Sequence, residues 1–139
     1  KLVDESFKNN LAQASTLRVS NKRSKSYKGQ FLIDWSIDSY WATDDTVKTA
    51  QVNLTWTADQ TFDLIKMSEY IPLGQRIDSV EVDAMINGSW TKIAAATSIG
   101  ACKIIYLNEP VKTAQLRIRI AAPVCITMSE LGVYKKASL

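Results

Sequence analysis

Ser79-Val80-Glu81-Val82-Asp83-Ala84-Met85-Ile86-Asn87-Gly88-Ser89-Trp90 is the stretch that decides the fold. Val80, Val82 and Ala84 alternate with Ser79, Glu81 and Asp83, the period of two that turns one face of a strand to a core and the other to water. Asn87-Gly88 follows, the dipeptide that best tolerates the positive φ angles of a type I′ turn. The chain therefore returns antiparallel, from about Trp90 to Ala95, after a strand over Ile77–Ile86.

Outward from this hairpin the same grammar repeats. Towards the C-terminus, Ser98-Ile99-Gly100 turns the chain, Lys103–Leu107 reads as a strand, and Asn108-Glu109-Pro110 ends it. Gln115–Ile120 gives a sharp alternation, with Leu116, Ile118 and Ile120 inward and Arg117 and Arg119 outward. Pro123 stops that strand, and Ile126–Tyr134 reads as the closing one. Towards the N-terminus, Val52, Leu54 and Trp56 alternate with Gln51, Asn53 and Thr55. Thr57-Ala58-Asp59-Gln60 is expected to turn the chain into Thr61–Ser68, whose Phe62, Leu64, Ile65 and Met67 suit a strand covered on both faces. A loop with Pro72 and Gly74 runs from Glu69 to Arg76. Ala14–Ser20 carries β-favouring Thr16 and Val19. Leu2, Val3, Phe7 and Leu11 lie on one stripe of a short helix ending near Ala14. The expected organisation is a linker helix from a preceding domain over residues 1–13 and one β domain over residues 14–139. Seven or more short strands with almost no helix predict an all-β antiparallel sandwich or barrel, with Trp41, Trp56 and Trp90 in its core.

With 139 residues and 46% apolar composition the chain can bury the core of a single domain. No apolar run reaches the roughly 18 residues of a membrane span, and Lys1-Leu2-Val3-Asp4-Glu5 lacks the features of a signal peptide. A net charge of +3 is too small to argue for nucleic acid. Lys22, Arg23, Lys25 and Lys28 cluster among Ser, Asn and Gly as a solvated loop does; an anionic membrane suits them slightly better than nucleic acid, and neither partner is predicted. Cys102 and Cys125 are too few and too far apart for a metal site or a disulfide framework. The chain contains no histidine, so the commonest general base, the common hydrolase triads and the imidazole ligands of zinc are missing. The carboxylates fall mostly on outward strand positions and in turns. The chain alone is therefore read as lacking a catalytic constellation.

One loop stands out. Asp34, Ser36, Asp38 and Ser39 crowd oxygens between Ile33 and Trp41, which suits either a hard cation such as Ca²⁺ or polar side chains capping their own turns. It is not an EF-hand loop: Ser39 stands where Gly is needed, and Asp45 where a bidentate Glu is needed. Glu130 interrupts the apolar pattern of Met128, Leu131 and Val133. A carboxylate buried there needs a partner, either an arginine such as Arg117 or Arg119 or a cation shared with Asp34.

Leu32-Ile33-Asp34 through Tyr40-Trp41-Ala42-Thr43, Thr61-Phe62-Asp63 to Glu69-Tyr70-Ile71, Gly74-Gln75-Arg76-Ile77, Gly88-x-Trp90, and Ser129-Glu130 before Val133-Tyr134 together resemble the discoidin-like family. This is the coagulation-factor type C or galactose-binding-like fold, which includes the family 32 carbohydrate-binding modules. The resemblance covers about Ala12 to Lys135. Phe7-x-x-Asn10-Leu11-Ala12, Glu69–Ile77 and Thr97-Ser98-Ile99-Gly100 look more narrowly like the C-terminal module of family 29 α-L-fucosidases.

The resemblance implies an eight-stranded jelly-roll sandwich with its loops gathered at one end. It also implies one structural calcium, held by the Phe31 carbonyl, the Asp34 carboxylate, the Ser36 carbonyl, Ser39, the Ser129 carbonyl and the Glu130 carboxylate. Ser39 keeps the hydroxyl of the family's usual Thr; Trp35 stands where the family has Gly, and Ser36 where it has Asp or Asn. By loop position the implied ligand-binding residues are Trp35, Glu69, Tyr70 and Arg76, an aromatic surface for a sugar ring beside polar groups that orient it. The alternative packs Tyr70 and Trp35 on neighbouring loops and pairs Glu69 with Arg76. The implied function is a non-catalytic carbohydrate-binding domain of a larger glycoside hydrolase of the α-L-fucosidase type, secreted, periplasmic or on the cell surface. Its partners would be a galactose- or fucose-containing glycan or its own catalytic domain, and as an isolated domain it would be a monomer. Two rivals are a domain that only packs on the catalytic barrel, and a lipid- or protein-binding discoidin domain.

Overall fold

A computed structural model describes residues 10–23, 27–33, 39–70, 76–100 and 102–135. The strands are β1 (Thr16–Val19), β2 (Trp41–Ala42), β3 (Thr49–Glu69), β4 (Ser79–Ile86), β5 (Ser89–Ala96), β6 (Lys103–Ala121) and β7 (Thr127–Tyr134). Every pairing is antiparallel, in the order β2-β7-β3-β6-β4-β5, with β1 added on β3. The described residues thus make a seven-stranded all-β fold where the resemblance implied eight strands. Short 3-10 helices lie at Leu11–Ala14 and Gly29–Ile33, and no described helix is long and apolar enough to cross a membrane. The expected linker helix falls largely on residues 1–9, outside the described residues.

The hairpin forms as its sequence requires: Asn87 and Gly88 adopt φ of 51° and 80°, and Ile86 pairs with Ser89. Two expected breaks do not end strands. Thr57–Gln60 was expected to be a turn, but β3 continues through it for 21 residues. Asn108-Glu109-Pro110 likewise lies within β6. The register explains both. Thr55 pairs with Gln115 and the next pair is Gln60–Thr113; Phe62 pairs with Val111 and the next pair is Leu64–Tyr106. Extra residues accumulate first on β3 and then on β6, and such bulges bend a strand without ending it. Pro110 sits inside the second bulge, where its missing N–H breaks no ladder bond.

The two strands therefore fold over together as one ribbon. One layer holds β1, the first half of β3, the second half of β6, β4 and β5. The other holds β2, β7, the second half of β3 and the first half of β6. Val52, Leu54, Val82 and Ile118 from one layer join Ile65, Met67, Leu131 and Val133 from the other in a single core. Each such buried aliphatic side chain contributes about 1.5–3 kcal/mol. Because the ribbon doubles back, Thr49 and Glu69 lie at the same end of the sandwich, where the long connections also gather.

Trp41 and Trp56 are buried, as expected, but Trp90 is not. Val80, Val82 and Ala84 hold the inner face of β4, so the Met85–Trp90 pair falls on the outer one. There the Arg117 guanidinium lies 4.4 Å from the centre of the Trp90 ring. Beside it Asp83 is buried on the outer face, taking Arg117 Nε at 2.9 Å and Arg119 Nε and Nη2 at 2.6 and 3.0 Å. Those two arginines, offered from sequence as partners for Glu130, belong instead to Asp83. Arg119 first, then Arg117, hold the Asp83 carboxyl below the usual carboxylate range, against the opposing effect of burial.

Candidate functional site at the loop end

The loop after β1 is fastened to the β2–β3 loop. Asn21 and Asp44 exchange hydrogen bonds, Asn21 Nδ2 donating to Asp44 Oδ2 at 3.3 Å and Asp44 N donating to Asn21 Oδ1 at 2.9 Å. The Arg23 amide donates to the Ala42 carbonyl at 2.8 Å, and its guanidinium pairs with Asp45. Thr43 ties the same loop to the β6–β7 connection: its amide donates to the Ile126 carbonyl at 3.0 Å, and its Oγ1 accepts from the Ile126 amide at 2.9 Å.

Glu69, at the end of β3, organises the other side. It is 2% exposed. Oε1 accepts from the amides of Arg76 at 2.6 Å and Ile77 at 3.0 Å, and Oε2 accepts from the amide of Gly100 at 2.8 Å. Glu69 is therefore a buried brace between the β3–β4 and β5–β6 loops. The expected pairing with Arg76 is present, but through the backbone amide. Gly100 has a φ of 66°, which suits glycine at this close approach.

Fastened in this way, the loops bring three tyrosines into a row. Tyr40 stacks on Tyr70, with ring centres 3.9 Å apart and planes 16° apart, and meets Tyr27 at 5.1 Å and 43°. All three are half-buried. Burial pushes the Tyr40 hydroxyl up, and its hydrogen bond with Tyr27 acts in the same direction. Arg76 Nη1 donates to the sulfur of buried Cys125 at 2.9 Å. Arg23 holds the exposed Asp45 carboxyl below its usual range. The loop end thus carries an aromatic row, the Arg23–Asp45 pair and the Arg76 guanidinium on buried Cys125, with no disulfide, since both cysteines are free.

Of the residues implied for ligand binding, Tyr70 lies in the aromatic row, Arg76 reaches Cys125 with its side chain and Glu69 with its amide, and Trp35 lies outside the described residues. Tyr27, Tyr40, Arg23 and Asp45 were missed. Tyr40 had a usable signal, since its neighbour Trp41 is inward and a strand residue beside it faces away. Arg23 had none, because a basic residue in a Ser-rich stretch reads as solvated.

The calcium positions fare differently. Asp34 and Ser36 lie outside the described residues, and Phe31 and Ser39 are half-buried. The Ser129 hydroxyl sits 3.5 Å from the Ser68 carbonyl and 3.4 Å from that of Glu69. The Glu130 side chain is 35% exposed rather than buried, with Lys66 Nζ 3.5 Å from Oε1, which also accepts from Ser68 Oγ at 3.4 Å. An ammonium at this carboxylate repels a divalent ion. Among the described residues no group of three or more acidic or cysteine side chains could hold a metal.

No family model matches the chain. A GH29 fucosidase from Ruminococcus gnavus, solved in complex with fucose, superposes with a TM-score of 0.90 and 29% identity over 98% of this chain and 28% of that one. The family 32 carbohydrate-binding module of C. perfringens NanJ, solved with galactose, gives a TM-score of 0.75 at 18% identity, covering 89% of this chain and 96% of that module. In sequence, alpha-L-fucosidase 1 of Arabidopsis thaliana is 25% identical over 134 residues, 92% of this chain and 26% of the relative. The chain spans about a quarter of the length of that curated relative. The chain is an all-β sandwich, similar in fold to a family 32 carbohydrate-binding module and, over almost its whole length, to part of a GH29 fucosidase.

Proposed function

We propose that this chain is a non-catalytic glycan-binding accessory domain of a secreted glycoside hydrolase of the α-L-fucosidase type, and that the row of Tyr27, Tyr40 and Tyr70 is its binding surface. The row itself carries the reading. An outward ring face covers the apolar face of a pyranose at low entropic cost, and the guanidinium groups of Arg23 and Arg76 orient its hydroxyls. The fold likeness to a module solved with galactose, and the identity to an enzyme solved with fucose, support that ligand class. Binding of this kind is weak, and it acts by keeping a catalytic domain near its glycan through effective concentration.

A second reading rests on the close Tyr40–Tyr70 stack: rings packed on each other also suit a surface buried against the catalytic domain. Tyr70→Ala separates the two. The glycan reading expects at least tenfold loss of retention on galactosylated or fucosylated glycans, with stability lowered by only about 1 kcal/mol for the lost ring pair. A wild-type glycan array that stays blank at millimolar ligand removes the glycan reading. A calcium joining the loop before Tyr40 to β7 belongs to this reading only if Lys66 yields Glu130 to it. Since a ligand of the folded state raises stability by mass action, a melting curve indifferent to chelator removes the ion.

A further inference from the structure

The antiparallel register lines up polar side chains across the outer face of the first layer. Gln51 pairs with Arg119, and Arg119 pairs with Glu81. Ser20 extends the row, its amide donating to the Gln51 carbonyl at 3.0 Å and its Oγ accepting from the Gln51 amide at 2.9 Å. Over these four residues, with Ser79 and Ala121 at the rim, lies a cleft of about 530 Å³. That volume is within the roughly 300–1,000 Å³ of small-molecule sites.

The cleft is built before any ligand arrives. Arg119 is fixed by Asp83 through Nε and Nη2 and by Glu81 at 3.3 Å, which leaves its Nη1 to donate elsewhere. Glu81 is held in turn by Lys92 at 3.4 Å. The Gln51 carboxamide makes no hydrogen bond among the described residues and brings both a donor and an acceptor. Charges in and around the cleft nearly cancel, since Arg117, Arg119 and Lys92 stand against Glu81 and Asp83. Donors and acceptors therefore alternate without a net field, a pattern that suits vicinal hydroxyls and gives an anion little advantage.

We infer that this cleft is a second carbohydrate site, taking a neutral pyranose unit through Gln51, Glu81 and Arg119. It lies on the sheet face, lined by none of the row's tyrosines, and does not depend on that row's being a site. The test is backbone-amide NMR of the whole chain, titrated separately with L-fucose and lactose. Saturating shifts are expected at Ser20, Gln51, Ser79 and Ala121. Gln51→Ala should weaken them about fivefold, as loss of one hydrogen-bonding side chain does. Gln51→Trp, which fills the cleft, should abolish them while leaving shifts at Tyr40 and Tyr70 unchanged. Shifts confined to the tyrosine row would overturn this inference and leave the loop-end reading standing; shifts confined to the cleft would do the reverse. Silence at both places would end both. The same cleft shifts on adding sodium sulfate would show an anion site and overturn the assignment to a neutral sugar.

Discussion

Glu69→Gln is the substitution that best separates a brace from a ligand contact. The carboxylate joins three buried or half-buried amides, of Arg76, Ile77 and Gly100. Glutamine is nearly isosteric but has only one acceptor oxygen. Two amides need Oε1, so the side chain settles with its carbonyl towards Arg76 and Ile77 and its NH₂ towards the Gly100 N–H, donor against donor. One charge-assisted bond of about 1.5–3 kcal/mol is lost and the other two lose their ionic strengthening. Against this, a neutral amide escapes the desolvation cost of a carboxylate that is 2% exposed. The bonds win because three donors already replace the lost water, leaving a net destabilisation of about 2–3 kcal/mol.

Urea unfolding measures this directly, as a lower midpoint at unchanged slope. The structure further requires that glycan retention weaken along with stability, because Arg76 and Tyr70 adjoin the brace. A Glu69→Gln protein within about 0.5 kcal/mol of wild type, the usual range for surface substitutions, would refute the brace. Weakened glycan binding in that same stable protein would restore Glu69 as a direct contact.

Two ionisable groups on the strands set the pH limits. Asp83→Asn should cost about 3–5 kcal/mol at neutral pH, because Arg117 and Arg119 lose the partner they share. The folded-state value of Asp83 is depressed, so its stabilisation is present above the ordinary carboxylate range and fades as pH falls through the folded value. Unfolding followed from neutral to acidic pH should show a smaller further loss in Asp83→Asn than in wild type, and equal acid slopes would contradict the assignment. Burial, reinforced by Glu130, pushes the Tyr134 hydroxyl up to about 12 from an ordinary 10.0. Its neutral form is the stabilised one, so this contribution is full below about pH 10 and is lost as pH rises towards 12, about 2–3 kcal/mol in all at 1.36 kcal/mol per unit. Tyr134→Phe should remove that alkaline decline in urea midpoints, and an unchanged decline would assign it elsewhere.

Most of the fold was legible because period-two alternation and turn chemistry are local. The Asn87-Gly88 hairpin, the inward sets of β3, β4 and β6 and the burial of Trp41 and Trp56 all follow from them. The breaks misread at Thr57–Gln60 and Asn108–Pro110 share one cause. A bulge and a turn use the same residues, and only the partner strand shows whether pairing resumes beyond them. Trp90 was misplaced because size suggested burial, whereas the register of the hairpin, legible in the same stretch, puts it outside. At the loop end, Tyr70 and Arg76 were singled out by likeness to a family. Tyr27 and Arg23 reach the site only through the bonds that pin their loop to Ala42, Asp44 and Asp45, and no local pattern encodes those contacts.

The folded ribbon also accounts for where the chemistry can sit. A straight strand of 21 residues would carry its ends far apart; bent at the bulges, β3 returns Glu69 to the end where Thr49 begins. Gln51 of the cleft and Tyr70 of the aromatic row are thus nineteen residues apart in sequence, yet both belong to that end of the sandwich. Ser20 borders the cleft, and the loop that follows it carries Arg23 and Tyr27 to the row. For a monosaccharide, which can occupy only one place at a time, substitutions at Gln51 and Tyr70 act independently. For a glycan long enough to touch both, the second contact forms at the effective concentration set by the first, so two weak sites give a retention that neither explains alone. The bulges that looked like strand endings are what make that geometry available.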